Sequence, residues 1–312
     1  MLTLIPESAT IKPDGAYRSD SMLALVQRRF RKHPGAVGGM IVLGVLVLLI
    51  LLAPLSPYDP NVSSMSERFQ PPSWQHPMGT DGLGRDQMTR ILYGGRISFT
   101  VGLLVVAITL TVGVSMGAIA GYFGGWVDNV LMRITDAALS LPSLLVLILL
   151  SASLREVRSG FFERNNVLLI ALVIGLLSWM TFARLVRAAF LTLREMDYVT
   201  ASRSLGGSNL YIITRHILPN AIGPIIVEST LELGYAIIEE SGLSFLGFGI
   251  QPPTPSWGNL LGNAQENMTK YPWLAIFPGL MIFFAIISVN YIGDGLRDAF
   301  DPHKVLEKVG ER

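Results

Sequence analysis

Residues 197–220 read DYVTASRSLGGSNLYIITRHILPN and lie between two long apolar segments, while being too polar themselves to cross a membrane. Asp197 is placed to cap a short helix over 198–205. Gly206-Gly207 stops that helix, because glycine tolerates the left-handed conformation a helix end needs. Ser208 then caps a second helix running to about Ile217, and Leu218-Pro219 resets the backbone before the next apolar run. The expectation is two short helices at an angle, held on a loop between membrane spans. Such a loop presents a knob to something outside the bilayer.

Composition supports the membrane setting on either side of that loop. Half of the 312 residues are hydrophobic and 15% are charged, against roughly 25% charged in an average soluble protein. Mean hydropathy is +0.48. Charges are absent from the windows 34–58, 97–127, 137–154, 165–183 and 271–293, each at least 18 residues long. About 20 apolar residues suffice to span the hydrocarbon core as a helix. The segment 217–240 is also long and largely apolar, although it carries carboxylates. Six spans follow, near 36–55, 97–122, 129–154, 167–190, 217–241 and 272–292. Pro142 should kink the third. The fold class is an all-α polytopic membrane protein with six transmembrane helices.

Other chemistries are disfavoured. The first 27 residues are polar and mixed, and the basic run Arg28-Arg29-Phe30-Arg31-Lys32 precedes the first apolar segment. That pattern reads as a cytoplasmic stop before an uncleaved span rather than as a signal peptide. There is no cysteine, and the net charge of +1 points to no nucleic-acid partner. The four histidines, at 33, 76, 216 and 303, lack metal-ligand spacing. None of the five lysines follows a glycine, so a phosphate-binding loop is missing and no nucleotide is expected on this chain. With the N-terminus inside, sixteen Lys/Arg fall on the cytoplasmic side and eight outside. That bias predicts cytoplasmic termini and a cytoplasmic 197–220 loop. The two halves show no inverted repeat of the kind secondary carriers use.

The 197–220 stretch resembles the cytoplasmic coupling loop of ABC importer permeases, whose pattern is Glu-Ala-Ala, three residues, Gly, then a spacer ending in Leu-Pro. Here it reads Thr200-Ala201-Ser202, Gly206 and Leu218-Pro219. Thr200 replaces the usual carboxylate and Ser202 the second alanine. Two further stretches resemble the dipeptide/oligopeptide/nickel subgroup. One is His76-Pro77-Met78-Gly79-Thr80-Asp81 through Gly84-Arg85-Asp86 to Tyr93-Gly94-Gly95-Arg96. The other comprises 243–253 (LSFLGFGIQPP) and 293–298 (GDGLRD). Together the matches run from His76 to about Pro302.

The resemblance implies the second, C-type permease subunit of a peptide-class importer, with type I ABC importer permease architecture in a prokaryotic plasma (inner) membrane. It implies a heterodimer with another permease, two ATPase subunits that hold the ATP and magnesium, and a binding protein delivering substrate from outside. The subunit itself would be non-catalytic. The coupling residues would be Asp197, Tyr198, Thr200, Ala201, Ser202, Leu205, Gly206, Ser208, Arg215, His216, Leu218 and Pro219. The chain then divides into a tail at 1–33, a first span with external loop at 34–75, a five-span core at 76–302 containing the 197–217 coupling loop, and a tail at 303–312. Nickel, glutathione or glycan import remains an alternative. So does an ion-coupled carrier using carboxylates as a proton relay.

Three other features invite a role. Asp81, Arg85 and Asp86 could form a local ion-pair network that shapes an external turn-rich loop. Trp257, in a proline-stiffened loop, is either an external docking anchor or an interfacial tryptophan. Glu228, Glu232 and Glu239 fall within about 40° of one another on the fifth span, with Glu240 offset by one position. Charge is costly in the bilayer. This face is therefore expected either to line a water-accessible pathway or to pair with arginines of a second subunit. Arg184 and Arg187 should snorkel to the interface, and Gly102, Gly113, Gly117 and Gly121 mark a close helix-packing seam.

Overall fold

The structure, a computed structural model, describes residues 22–156 and 165–300. The expected tail residues 1–21 and 301–312, and most of the loop after the third span, lie outside the described residues. Eleven α-helices order the described chain: α1 (Met22–Phe30), α2 (Pro34–Leu51), α3 (Gln87–Phe123), α4 (Gly125–Leu139), α5 (Ser143–Glu156), α6 (Asn166–Leu193), α7 (Asp197–Ser204), α8 (Asn209–Ile212), α9 (Leu218–Phe245), α10 (Trp257–Ala264) and α11 (Trp273–Phe300).

Among the described residues, five continuous stretches are long and apolar enough to cross a membrane: α2, α3, α6, α11, and 209–245, which joins α8 to α9. The pair α4–α5 makes a sixth if its two helices count as one broken span, and it turns by 85° at its break. A kink was expected there, and the structure makes it a corner. Pro142 cannot donate to the preceding turn and its ring obstructs it. Ser140 closes α4 by donating its hydroxyl to the Ala137 carbonyl at 2.6 Å.

Local chemistry sets the other helix starts. His33 Nδ1 accepts from the Ala36 amide at 3.0 Å, with Pro34 opening α2. Asp86 Oδ1 accepts from the Thr89 amide at 2.7 Å and caps α3. α3 therefore begins at Gln87 rather than near Ile97. Its extra turns hold Arg90, fully buried, whose guanidinium donates to the Pro60 carbonyl at 2.7 Å.

The scaffold is the α3–α6 pair. A Cβ at Gly117 would sit 2.5 Å from the Ala183 carbonyl and 2.7 Å from Val186, and one at Gly121 would sit 2.6 Å from Phe190. Only glycine lets these backbones approach, and in lipid such close packing replaces a hydrophobic driving force. The glycine seam is thus intramolecular. Arg187 forms two hydrogen bonds to Asp128 of α4, and Arg184 pairs with Asp136. Neither arginine simply snorkels: each has a carboxylate on the neighbouring helix, and together they fasten α4 to α6.

The α3 N-terminus meets residues 56–86 and its C-terminus meets α7–α8, so these two regions lie at opposite ends of one long helix. At the first end, Phe69 stacks on Tyr271 with ring centroids 4.2 Å apart. Arg85 Nε donates to Asp81 Oδ2 at 2.7 Å. Asp86 takes no part in that pair. It caps α3 and meets His76 Nδ1 at 2.9 Å, so the expected three-residue network is two separate ones.

Candidate functional site: a bent helical knob and an acidic helix face

The α7–α8 unit is built much as its residues suggest, with two differences. Met196, not Asp197, occupies the cap position of α7 and makes no side-chain bond there. Asp197 is the first helical residue, where its charge complements the amino end of the helix dipole. The stop is at Gly206, with φ +83°, and the Gly207 amide donates back to the Ser202 carbonyl at 3.0 Å. Ser208 Oγ then accepts from the Tyr211 amide at 3.3 Å and caps α8.

The second difference concerns Leu218-Pro219, expected to reset the backbone. It does not. Residues Ile213–Ile217 form a π-helical turn, and the Leu218 amide donates to the Ile213 carbonyl five residues back. A wider turn accommodates a proline that can neither donate nor tolerate a carbonyl four residues earlier. The knob thus runs into α9 as one continuous helical rod.

Its two faces differ. Val199, Ile212 and Ile217 are fully buried in a cluster with Tyr122, Phe182, Val186, Phe190 and Ala221. Tyr122 of α3 also donates its hydroxyl to Asn209 Oδ1 at 2.8 Å. The outer face carries Leu205, 89% exposed, and Leu210, 71% exposed, beside exposed Tyr198 and Tyr211. His216 lies against Tyr211, with ring centroids 5.4 Å apart. Thr200, Ala201 and Arg215 are exposed and Ser202 half-buried on the same unit. Reading the residues in sequence missed the anchors Val199, Ile212 and Ile217. Their signal is apolar residues at helical spacing inside an otherwise polar loop.

On α9, Glu228 and Glu239 are half-buried, and Glu232 is 8% exposed with Oε1 lacking any hydrogen-bond partner. Glu240 departs from the expected pathway set. It is fully buried on a different face, where Ser98 Oγ donates to it at 2.7 Å and Ser244 Oγ at 2.6 Å. It clamps α3 to the end of α9 and is closed to any passing solute. Trp257, expected at a surface, is also fully buried. It opens α10 behind a Ser256–Asn259 capping box, and its Nε1 donates to the Ile91 carbonyl at 3.0 Å. An indole fits a core when its N–H finds an acceptor, and this one finds a backbone carbonyl of α3.

Among the described residues the chain is an all-helical bundle with a bent helical knob at one end, and its long apolar helices are those of a multi-pass membrane protein. Residues 113–305 match the family described as the binding-protein-dependent transport system inner membrane component. Residues 21–72 match the N-terminal transmembrane domain of oligopeptide transport permease C. The chain belongs to this inner-membrane permease family, and it is a multi-pass membrane protein. It is 40% identical over 291 residues to a putative peptide permease protein of Brucella suis biovar 1, covering 92% of this chain and 93% of that one. It is 39% identical over 300 residues to the dipeptide transport system permease protein DppC of Alkalihalophilus pseudofirmus, covering 96% of each. The resemblance noted from His76 onward therefore extends toward the N-terminus as well.

Proposed function

We propose that this chain is one of two different permeases that together form the translocation pathway of an ATP-driven peptide importer. Relatives named as peptide and dipeptide permeases, alike over more than nine-tenths of the chain, support the substrate class. The observation that carries the mechanism is the knob. Its inner face is cemented to α3, α6 and α9, and its outer face exposes leucines and tyrosines outside the bilayer, where a soluble domain could cover them.

The partner would be an ATPase on the cytoplasmic side, and with an even number of spans on either side of the knob both termini would lie there too. Closure of two ATPases on ATP would push α7–α8, and the continuous rod through the π turn would carry that push into α9. The pore would then alternate between inward- and outward-facing states. ATP and magnesium belong to the ATPases, and this chain performs no hydrolysis. A binding protein would deliver peptide to the opposite end, near residues 56–86.

The test is a mild-detergent pull-down through a C-terminal tag. A second permease and ATPases should be recovered. Gly206→Pro, which cannot adopt φ +83°, should lose the ATPases and keep the permease. Recovery of this chain alone, folded and stable, would overturn the coupled reading.

A further inference from the structure

The charges inside the bundle differ in how they are compensated. Asp128 and Asp136 are matched by Arg187 and Arg184, and Glu240 by two serine hydroxyls. Among the described residues, no cation lies within salt-bridge distance of Glu228, Glu232 or Glu239. Glu232 is 8% exposed, and its Oε1 is buried without a hydrogen-bond partner. An unpaired carboxylate oxygen shielded this far is costly unless something visits it.

The same face carries one more residue of the right kind. Tyr235 is 59% exposed. At 100° per residue it lies within about 60° of all three carboxylates. Tyrosine rings attract ammonium and guanidinium groups through their negative faces. The set spans about 16 Å of helix, at 1.5 Å per residue. That length is too great for one metal ion, and among the described residues no three such groups converge as a metal cage. A fixed arginine of a second subunit would engage one rung. A series of rungs with half-buried ends and a shielded middle suits a cation that moves.

We propose that Glu228, Glu232, Tyr235 and Glu239 form a ladder for the cationic groups of peptides, the amino terminus and above all lysine or arginine side chains. The proposal rests on the peptide-importer reading and adds a preference exerted within the permease itself. The carboxylates attract the charged group as the peptide leaves the binding protein, and successive rungs hand it along the helix without trapping it.

The test uses the complete transporter in proteoliposomes with its binding protein, given trialanine or Ala-Lys-Ala. Because the binding protein is the same throughout, a change in the ratio of the two uptake rates reports on the permease. The triple variant Glu228→Gln/Glu232→Gln/Glu239→Gln should lower the lysine-to-alanine ratio about fivefold or more, roughly one lost charge interaction. Should the triple variant fold poorly, Glu228→Lys at a half-buried rung should lower the ratio on its own, and Tyr235→Leu should lower it less. An unchanged ratio in these variants, alongside robust uptake by the unaltered transporter, would overturn the ladder and leave the importer standing. Loss of the second permease from the triple variant, with Glu228→Lys leaving the ratio unchanged, would assign the carboxylates to assembly instead. No ATPase-dependent uptake of either peptide by the unaltered transporter would overturn the peptide reading, and the ladder with it.

Discussion

The α3–α6 seam and the α7–α9 limb lie side by side, yet one is closed and the other open. Along the seam, glycines bring the backbones into contact and each arginine finds an aspartate on α4. Along the limb, leucines and tyrosines are exposed, and three carboxylates have no cation within salt-bridge distance among the described residues. Side chains satisfied within the chain make a scaffold. On the proposed reading, side chains left unsatisfied are where the protein would meet ATPase, partner or substrate.

Substitutions test this contrast. Gly117→Leu should be the most damaging, because its side chain would be driven into Ala183 and Val186. Overpacking of that kind costs about 3 kcal/mol, read as loss of folded protein and of a sharp thermal transition in detergent. Arg187→Ala comes next. It would strand Asp128, whose side chain is 13% exposed, at a cost of about 2–3 kcal/mol, discounted from a fully buried pair. Gly206→Ala meets open space, so only its positive φ counts. The cost should be about 1 kcal/mol, with a measurable loss of ATPase coupling. Arg184→Ala should cost less than about 1 kcal/mol, since both partners are about half exposed. Leu205→Ser with Leu210→Ser should shift stability by less than about 0.5 kcal/mol while reducing ATPase recovery in the pull-down. If the exposed leucines proved as costly to stability as Gly117, the division into closed and open regions would fail.

Much of the fold was legible because a bilayer is an unforgiving solvent. Long apolar windows without charge read as spans, and the knob announced itself through Gly206 and Ser208. What escaped was compensation at a distance. Arg90 and Arg96 made the start of α3 look like loop, but Arg90 is buried against a carbonyl 30 residues earlier. The helix α10 was missed although Ser256 and Asn259 formed a capping box, because three prolines before it suggested a stiff loop. Trp257 looked like a surface anchor because its acceptor, the Ile91 carbonyl, is invisible in the local sequence.

The amino-acid order alone therefore determined the helical membrane class, six apolar segments and the position of the bent helical unit, since hydropathy windows and helix stops are local properties. It also placed Glu228, Glu232 and Glu239 on one face, because helical period is fixed by backbone geometry. Tertiary structure decided what surrounds those residues. It separated Glu240, enclosed by Ser98 and Ser244, from the three carboxylates beside it in sequence. It joined the knob to α9 through a π turn where Pro219 suggested a break. Both outcomes depend on partners supplied across the fold, and a hydrogen bond or a packed neighbour from another helix is not encoded within any one window of the chain.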